Sequence, residues 1–236
     1  MLFHQLITRF KDVHTKGIVH CDIKPANFLM GLGEHSNTVY IADFGISLRY
    51  INRNGQHIPL KTNCNLIGTV RYASLYAHKG MELSRRDDML ALGYFVYYVL
   101  NGNLPWQDDI SPDSSRCRVA AKKKYRFCRS IQVKLGPPEF ADYIQYCEEL
   151  SFKAEPDYNA LHRLIENVAA RERINLFDNC FDWNLIKASK QLYTHKVKQK
   201  DSKNIFKSYY MPPEISNCDN MRRDARIVTL AKGMTF

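Results

Sequence analysis

The sequence lacks any regular arrangement of cysteines. Its 236 residues contain seven cysteines, with no Cys-x-x-Cys pair and no repeated spacing between them. An odd number of scattered cysteines without a signal peptide is typical of proteins from a reducing compartment. The pattern therefore favours buried free thiols over a disulfide framework or a zinc site, and it predicts a cytoplasmic or nuclear protein.

Long hydrophobic runs are also absent. The longest extends from Met89 to Leu100, well short of the ~18 or more apolar residues that a membrane-spanning helix needs. A run of this length indicates a buried core helix. Met1 to Lys11 has the apolar spacing of an amphipathic helix and not the pattern of a signal peptide. We therefore expect no membrane span.

Acidic residues are in the minority. The chain has 34 Lys and Arg residues against 24 Asp and Glu residues, which gives a formal net charge of +10. The positive electrostatic potential that results from this net charge favours acidic or phosphorylated partners, nucleic acid or anionic lipid. The alternative is that the excess lysine lies in a solvated tail. Nucleic acid is the weaker candidate, because the basic stretches lack the interleaved aromatic residues of single-strand binders.

The spacing of apolar residues predicts a mainly helical fold. It predicts helices over residues 2–16, 88–101 and 138–151, a basic helix from Arg116 onward and a further helix capped by Asp157. The helix over 88–101 is apolar on all faces, which predicts that it is central and buried. A hydrophobic content of 45% is sufficient for one sizeable core.

Two short strands and a long loop interrupt the helical pattern. Residues 27–30 and 39–42 are predicted as strands of a small hairpin, because turn-forming residues separate them. Residues 46–74 have no clear period and are predicted as a long loop, and such a loop inside a compact domain is usually either functional or disordered. From Lys187 onward the chain is rich in lysine and nearly aperiodic. We therefore expect a folded domain over residues 1–186 and a basic, disordered tail over 187–236.

Polar groups of complementary chemistry are concentrated between His20 and Gly45. Asp22, Lys24 and Asn27 supply a carboxylate, an ammonium and a carboxamide, and the carboxylate of Asp43 follows the hairpin. Such a set suits phosphoryl transfer, which depends on positioning and charge neutralisation more than on covalent chemistry. Each residue alone would more often be a turn former. All four occur together at the spacing that phosphoryl transfer needs, which argues against four unrelated turn formers.

Several longer stretches carry a family resemblance. They are residues 22–31, 40–45, 68–74, 84–88, 92–94, 104–107 and 181–184. In these stretches the chain resembles the C-terminal lobe of casein kinase 1-type protein kinases, over residues 1 to about 186. Asp-Phe-Gly alone is a weak signal. The Tyr-Ala-Ser that ends at Ser74, where most kinases carry Ala-Pro-Glu, and the Ser-Arg-Arg-Asp-Asp that begins at Ser84 are the specific ones.

The resemblance implies a fold and an activity. The fold is the C-lobe of a protein kinase, a helical bundle around a buried central helix with a small β-hairpin that carries the catalytic elements. The activity is ATP-dependent phosphoryl transfer to serine or threonine of acidic or pre-phosphorylated proteins. Asp22 accepts the proton of the substrate hydroxyl, and Lys24 neutralises charge on the phosphoryl group. Thr69 hydrogen-bonds this Asp and Lys.

The resemblance also implies cofactor and substrate sites. Mg²⁺ binds through Asn27 and Asp43, whose side chains offer hard oxygen ligands. ATP lies against these two residues and against Phe44, Gly45 and Leu29. His20 packs under Phe44, and Asp88 anchors the catalytic loop, which is the stretch over residues 20–27. The residues implied in an anion site for acidic substrates are Arg71, Lys122, Lys123 and Lys124. For the lysine run, a solvated face or a nuclear-import patch is an equally good interpretation.

The sequence departs from the family in three places. No Gly-rich loop and no paired strand lysine precede the catalytic loop, and the Gly-x-Gly at Gly31 follows that loop. Cys21 stands where the family has an arginine that braces the activation segment, which argues against control by loop phosphorylation. The alternative is a tolerated neutral change, since the catalytic Asp is intact. The segment between Tyr125 and Pro137 is shorter than in the family, which affects the details of the anion site.

The first departure leaves two hypotheses. One is a truncated serine/threonine kinase that transfers little phosphate by itself, because kinase catalysis requires the N-lobe Lys–Glu pair. The other is an inactive pseudokinase or scaffold that holds acidic or phosphorylated partners. In either case apolar surface around Phe28, Leu29 and Ile41 is expected to be exposed, which suggests a partner that covers it.

Overall fold

A computed structural model describes residues 1–109, 114–130, 137–178 and 181. The chain divides into two compact units, Met1–Phe177 and Asp178–Phe236, and the account below concerns the first. The predicted basic tail over 187–236 lies outside the described residues. So do residues 131–136, which include most of the shortened segment before Pro137.

The first unit is rich in helix and contains two small antiparallel sheets. Its helices are α1 (Leu2–Thr15), α2 (Leu75–His78), α3 (Arg85–Asn101), α4 (Ser114–Ser130), α5 (Pro138–Glu149) and α6 (Tyr158–Arg171). Its strands are β1 (Ile18–Val19), β2 (Phe28–Met30), β3 (Val39–Ile41) and β4 (Leu48–Arg49). Short 3₁₀ turns occupy Pro25–Asn27, Gly33–His35 and Gln107–Asp109. This helix-rich architecture with little sheet agrees with the mainly helical fold that the apolar spacing predicts.

Helix α3 forms the centre of the core, as its sequence predicts. The side chains of Met89, Leu90 and Tyr94 are fully buried, and the charged first turn is buried as well. A helix with apolar residues on every face can remove them all from water only if other elements surround it. Helices α1 and α5 pack directly on α3, so anything attached to α3 is held rigidly.

The predicted hairpin is present as the sheet β2–β3. Phe28 pairs with Ile41, and Met30 pairs with Val39. A second sheet, β1–β4, pairs Val19 with Leu48, although residues 46–74 were predicted as a loop. Strands of two residues have no measurable period, so apolar spacing could not reveal this sheet. It ties the residues that precede the catalytic loop to the segment that follows the hairpin.

Capping residues and a glycine determine where α1, α2 and α3 begin or end. Gly17 follows α1 with a φ of 75°, the left-handed conformation expected there. Helix α3 begins at Arg85, three residues before the predicted start, because the Asp87 carboxylate accepts a hydrogen bond from the backbone N–H of Ser84. Helix α2 was not predicted, and its N-cap is Ser74, whose hydroxyl accepts from the Ala77 N–H.

Two expectations from composition can be checked in the described residues. The cysteines described there, Cys21, Cys64, Cys117, Cys128 and Cys147, are all free thiols. No helix in the described ranges is long and apolar enough to cross a membrane.

Candidate active site

The backbone of the catalytic loop is anchored from the buried helix α3. Asp88 is 1% exposed, and its carboxylate accepts hydrogen bonds from the backbone N–H groups of His20 at 2.7 Å and Cys21 at 3.0 Å. It also contacts the His14 ring at 3.0 Å, and the other ring nitrogen of His14 lies 2.7 Å from the Tyr158 hydroxyl. The predicted role of Asp88 as the anchor of the loop is confirmed.

The structure brings four of the predicted site residues into one cluster. One carboxylate oxygen of Asp22 accepts from the Lys24 ammonium at 2.5 Å, and the other accepts from the Thr69 hydroxyl at 2.6 Å. The amide nitrogen of Asn27 donates to the backbone carbonyl of Asp22 at 2.8 Å. Asp22 is buried and Lys24 is half-buried, so the carboxylate is held in one orientation at the edge of solvent.

The surroundings of Asp22 determine its protonation. Burial raises its pKa, but hydrogen bonds from Lys24 and Thr69 and the positive charge of Lys24 lower the pKa by more, to a net value below the ordinary one. Asp22 is therefore ionised at neutral pH. An ionised carboxylate is the form that can accept a proton from a hydroxyl group.

Thr69 reaches Asp22 because a glycine precedes it. Gly68 has a φ of 81°, and a Cβ atom at this position would lie 2.2 Å from the backbone oxygen of Cys21. Only glycine permits both this left-handed conformation and such a close approach of two backbones. Sequence reasoning did not assign a role to Gly68, although its place directly before a chemistry-bearing residue is a usable signal.

The segment with Asp43 lies against the catalytic loop. The Ala42 N–H donates to the Asn27 carbonyl at 2.9 Å, and the Ala42 carbonyl lies 2.9 Å from the His20 ring nitrogen Nε2. The His20 ring also meets the Phe44 ring edge-on at 4.9 Å between centroids, which confirms that expected contact. Asp43 itself has a φ of 64° and an exposed carboxylate.

The residues present fit a magnesium site. Asn27 uses its amide nitrogen on Asp22, which leaves its carbonyl oxygen as a ligand, and Asp43 adds an exposed carboxylate. Mg²⁺ prefers such oxygen ligands, and it keeps waters or phosphate oxygens in its remaining positions. Within the described ranges no group of three or more His, Cys, Asp and Glu side chains could hold a metal ion by itself. An ion at Asn27 and Asp43 would therefore need ligands from a nucleotide or water.

An apolar surface lies on the hairpin. Leu29 and Tyr40 pair directly across β2 and β3, and they are 42% and 44% exposed. Phe44 is 43% exposed. Phe28 and Ile41, which were also expected to be exposed, are instead half-buried. The Phe28 ring packs edge-on against Phe95 in the core.

The residues of the predicted anion site do not all lie on one exposed surface. Lys122 is exposed, Lys123 is half-buried, and the guanidinium of Arg71 lies over the ring of Tyr98 at 5.8 Å. Lys124 is fully buried in α4. Its ammonium donates to the backbone carbonyls of residues 70 and 73 at 2.7 Å and 2.6 Å. Lys124 therefore points inward, away from any external anion, and differs in this from its predicted role.

Comparison with known families decides the identity. The family model described as the protein kinase domain matches residues 1–185. This is most of the chain, and it includes the cluster around Asp22 as well as Asp43. The chain belongs to the protein kinase family. The site at Asp22 is accordingly the candidate active site of a protein kinase domain, and the helix-rich fold is compatible with that family.

Two residues of this kinase domain were missed by sequence reasoning. His14 and Tyr158 extend the anchor at Asp88 through a buried hydrogen-bonded chain. His14 lies four residues after Phe10 on the buried face of α1. A polar residue on an apolar helix stripe needs a buried hydrogen-bond partner, so its position is a signal that could have been used. Tyr158 gave no comparable signal.

Proposed function

We propose that this kinase domain is the C-lobe of a casein kinase 1-type serine/threonine kinase. Such a kinase would transfer the γ-phosphoryl group of ATP, with Mg²⁺, to serine or threonine of acidic or pre-phosphorylated proteins in the cytoplasm or nucleus. The observation that carries the proposal is the Asp22 carboxylate, which Lys24 and Thr69 bind from two sides. A scaffold has no need of such an arrangement.

In the proposed reaction each residue acts through the contacts described above. Asp22 accepts the proton of the substrate hydroxyl as that oxygen attacks, a contribution of typically ~10²–10⁴-fold to the rate. Lys24 lies beside Asp22 and offsets negative charge on the transferring group. Thr69 fixes the orientation of the carboxylate through its hydrogen bond.

The cofactor would be held by the other predicted residues. Asn27 and Asp43 supply the oxygen ligands for Mg²⁺, which when bound neutralises charge on the phosphates. Leu29 and Phe44 offer exposed apolar surface against which a nucleobase can pack, and Gly45 follows with no side chain of its own.

The packing around Ser74 supports the casein kinase 1 assignment. Ser74 stands where most kinases carry glutamate, and its hydroxyl donates to the Asp87 carboxylate at 2.5 Å. Arg86 donates to the Leu150 carbonyl, and its guanidinium lies 3.4 Å from the centroid of the Tyr76 ring. The stretch that ends at Ser74 and the stretch that begins at Ser84 therefore pack against each other. The short serine side chain is the one that bonds Asp87 at their contact.

A basic groove supports the preference for acidic partners. The groove has a volume of about 430 Å³ and lies between α2 and α4. Lys79, Lys122 and Arg126 line it, together with the half-exposed ring of Tyr125. Concentrated positive charge attracts carboxylate or phosphate groups. The same groove is the observation that favours the second candidate function, a scaffold for acidic or phosphorylated partners.

Nucleotide binding separates the two functions. Affinity for a fluorescent ATP analogue should be measured by titration with and without Mg²⁺, in the full 236-residue chain and in Asp43→Asn. The kinase proposal predicts binding that requires Mg²⁺ and is lost in Asp43→Asn. The matched control is Asp12→Asn, which changes an exposed carboxylate on α1 and should bind as the unsubstituted chain does. Binding independent of both Mg²⁺ and Asp43, or no binding at all, would favour the scaffold.

A further inference from the structure

A cysteine, a histidine and a buried lysine form a chain of contacts apart from the catalytic loop. The Cys117 sulfur lies 3.3 Å from the Nδ1 atom of His78. The Nε2 atom of the same ring lies 3.1 Å from the amine nitrogen of Lys124. His78 belongs to α2 and the other two residues to α4, so the contacts join two helices.

Lys124 is in an unusual environment for a charged amine. It is fully buried, and its nitrogen lies 5.5 Å and 5.3 Å from the ring centroids of Tyr94 and Trp106. Burial lowers the pKa of Lys124 to about 7, and the nearby Cys117 and Cys128 act in the opposite direction. Both the neutral and the charged amine are therefore accessible at neutral pH.

Each of the two states satisfies every hydrogen bond in the chain of contacts. In the first, neutral Lys124 donates its two N–H groups to the backbone carbonyls and accepts from His78 Nε2–H, while Nδ1 accepts from the Cys117 S–H. In the second, charged Lys124 donates to Nε2, and Nδ1–H donates to a Cys117 thiolate. One proton leaves sulfur for Nδ1 and another leaves Nε2 for Lys124, so the imidazole stays neutral.

His78 is suited to pass a proton without keeping it. Burial and the charge of Lys124 lower the pKa of His78 to about 3. The doubly protonated ring is therefore scarcely populated at neutral pH. The ring changes its tautomer instead, and the charge separates onto Cys117 and Lys124 on either side of it.

We propose that Cys117, His78 and Lys124 form a proton relay, which makes Cys117 a nucleophilic thiol and a site of oxidation by hydroperoxides. The thiolate is the reactive form of cysteine, and a nearby cation and an N–H donor both stabilise it. Cys117 is partly exposed, and His78 lines the open groove between α2 and α4. A small oxidant can therefore reach this end of the relay.

The oxidation balances without a further reagent. The thiolate of Cys117 attacks one oxygen of the hydroperoxide, so the S–O bond forms as the O–O bond breaks. Sulfur loses two electrons, and the hydroperoxide gains them and leaves as hydroxide or alkoxide. This leaving group takes up the proton that Lys124 holds, by way of His78. The products are a sulfenic acid and water or an alcohol.

The relay ends on the segment that leads from the active site. The carbonyls that Lys124 binds belong to Val70 and Ala73, and Thr69, one residue earlier, binds Asp22. The chemical state of Cys117 is therefore connected to the segment that fixes the catalytic carboxylate. This inference concerns regulation and does not require that the kinase proposal be correct.

Alkylation rates test the relay in the unsubstituted chain. Iodoacetamide at pH 7 should label Cys117 about tenfold faster than Cys64, because the His78 ring contacts the Cys117 sulfur and Lys124 on its other side can hold the proton that sulfur gives up. Cys64 is the control, since it is also partly exposed and its sulfur contacts the Glu82 carboxylate, 4.0 Å away. Rates follow from peptide mapping by mass spectrometry, and equal rates would overturn the proposal.

A variant then tests the part played by the imidazole. His78→Asn breaks the relay and should lower the Cys117 rate to that of Cys64. The control is His35→Asn, which replaces an exposed histidine in a 3₁₀ turn and should leave the rate unchanged. An unchanged rate in a folded His78→Asn variant would overturn the relay. If that variant does not fold, the comparison of Cys117 with Cys64 still decides.

Hydrogen peroxide with a dimedone trap tests the oxidation itself. Sulfenic acid should be trapped at Cys117 in the full chain and not at Cys64. Trapping at both cysteines to the same extent, or at neither, would overturn the assignment of Cys117 as an oxidation site. Each measurement reads cysteine chemistry alone, so its failure is distinguishable from a failure of nucleotide binding.

Discussion

Asp88 illustrates how one buried carboxylate determines the position of a functional loop. It accepts two backbone N–H groups of the loop and contacts His14, while remaining 1% exposed. Charge-assisted bonds to backbone N–H groups are stronger than neutral ones. The sequence suggested this residue by its place in Ser-Arg-Arg-Asp-Asp, but it did not suggest His14 or Tyr158 as its partners.

Asp88→Asn should lower the free energy of unfolding by about 2–4 kcal/mol, because the amide cannot accept all of these bonds and buries an unmatched NH₂ group. Urea unfolding followed by circular dichroism measures this. Asp12→Asn is the control, since Asp12 forms only an exposed ion pair with Arg9, and it should change stability by less than about 0.5 kcal/mol. Equal effects of the two variants would contradict the anchoring role.

Gly68→Ala should destabilise the domain more than Gly33→Ala. Both glycines have positive φ, but a Cβ at Gly33 meets nothing within 4 Å, whereas at Gly68 it would lie 2.2 Å from the Cys21 carbonyl oxygen. The conformation costs about 1–2 kcal/mol at either site, and at Gly68 the backbone contact adds roughly 1–3 kcal/mol. Urea unfolding of the two variants compares them directly. Indistinguishable stabilities would mean that the approach of Gly68 to the loop is not rigid.

Among the elements, α3 was the easiest to predict and the most important for the fold. Its apolar run forecast a buried helix, and α1, α5 and α6 followed from their apolar stripes. The sheet β1–β4 and the short helix α2 were missed. Their few residues carry no periodicity, and they form only because surrounding elements supply partners.

The crossing of α3 and α5 depends on a small residue. A Cβ at Gly93 would lie 2.3 Å from the Ile144 Cδ1 atom and 3.0 Å from the Tyr143 ring. Both neighbours are fully buried, so they have little room to move.

Gly93→Ala should therefore destabilise the domain by about 1–3 kcal/mol through overpacking. The same substitution in an exposed helix normally stabilises by about 0.5–1 kcal/mol, so the sign of the effect is diagnostic. Thermal unfolding measures it. A raised melting temperature would show that the two helices can separate without cost.

For the whole molecule, the 236 residues contain the catalytic loop and Asp43 but no Gly-rich loop ahead of them. In kinases the nucleotide phosphates are covered by such a loop, and a Lys–Glu pair must be in place for catalysis. Under the proposed function, the residues assigned to the nucleotide and its metal ion are Asn27, Asp43, Leu29, Phe44 and Gly45.

We therefore expect a polypeptide of these 236 residues to transfer no phosphate to casein above background. Incorporation of radiolabelled phosphate from ATP with Mg²⁺ measures this, with Asp22→Asn as the matched control. Robust incorporation that disappears in Asp22→Asn would contradict the expectation, and it would show that these residues complete the phosphate site unaided.

The sequence by itself determined the residue chemistry and the larger helices. Spacing placed a carboxylate, an ammonium and a carboxamide together on one loop, and apolar periodicity identified the core helices, because both are local properties of the chain. Only the tertiary structure decided which side chains meet across long separations. It joined Thr69 to Asp22 through the contact at Gly68, and it turned Lys124 inward to His78. These contacts depend on how helices and loops pack, and no pattern of neighbouring residues encodes that packing.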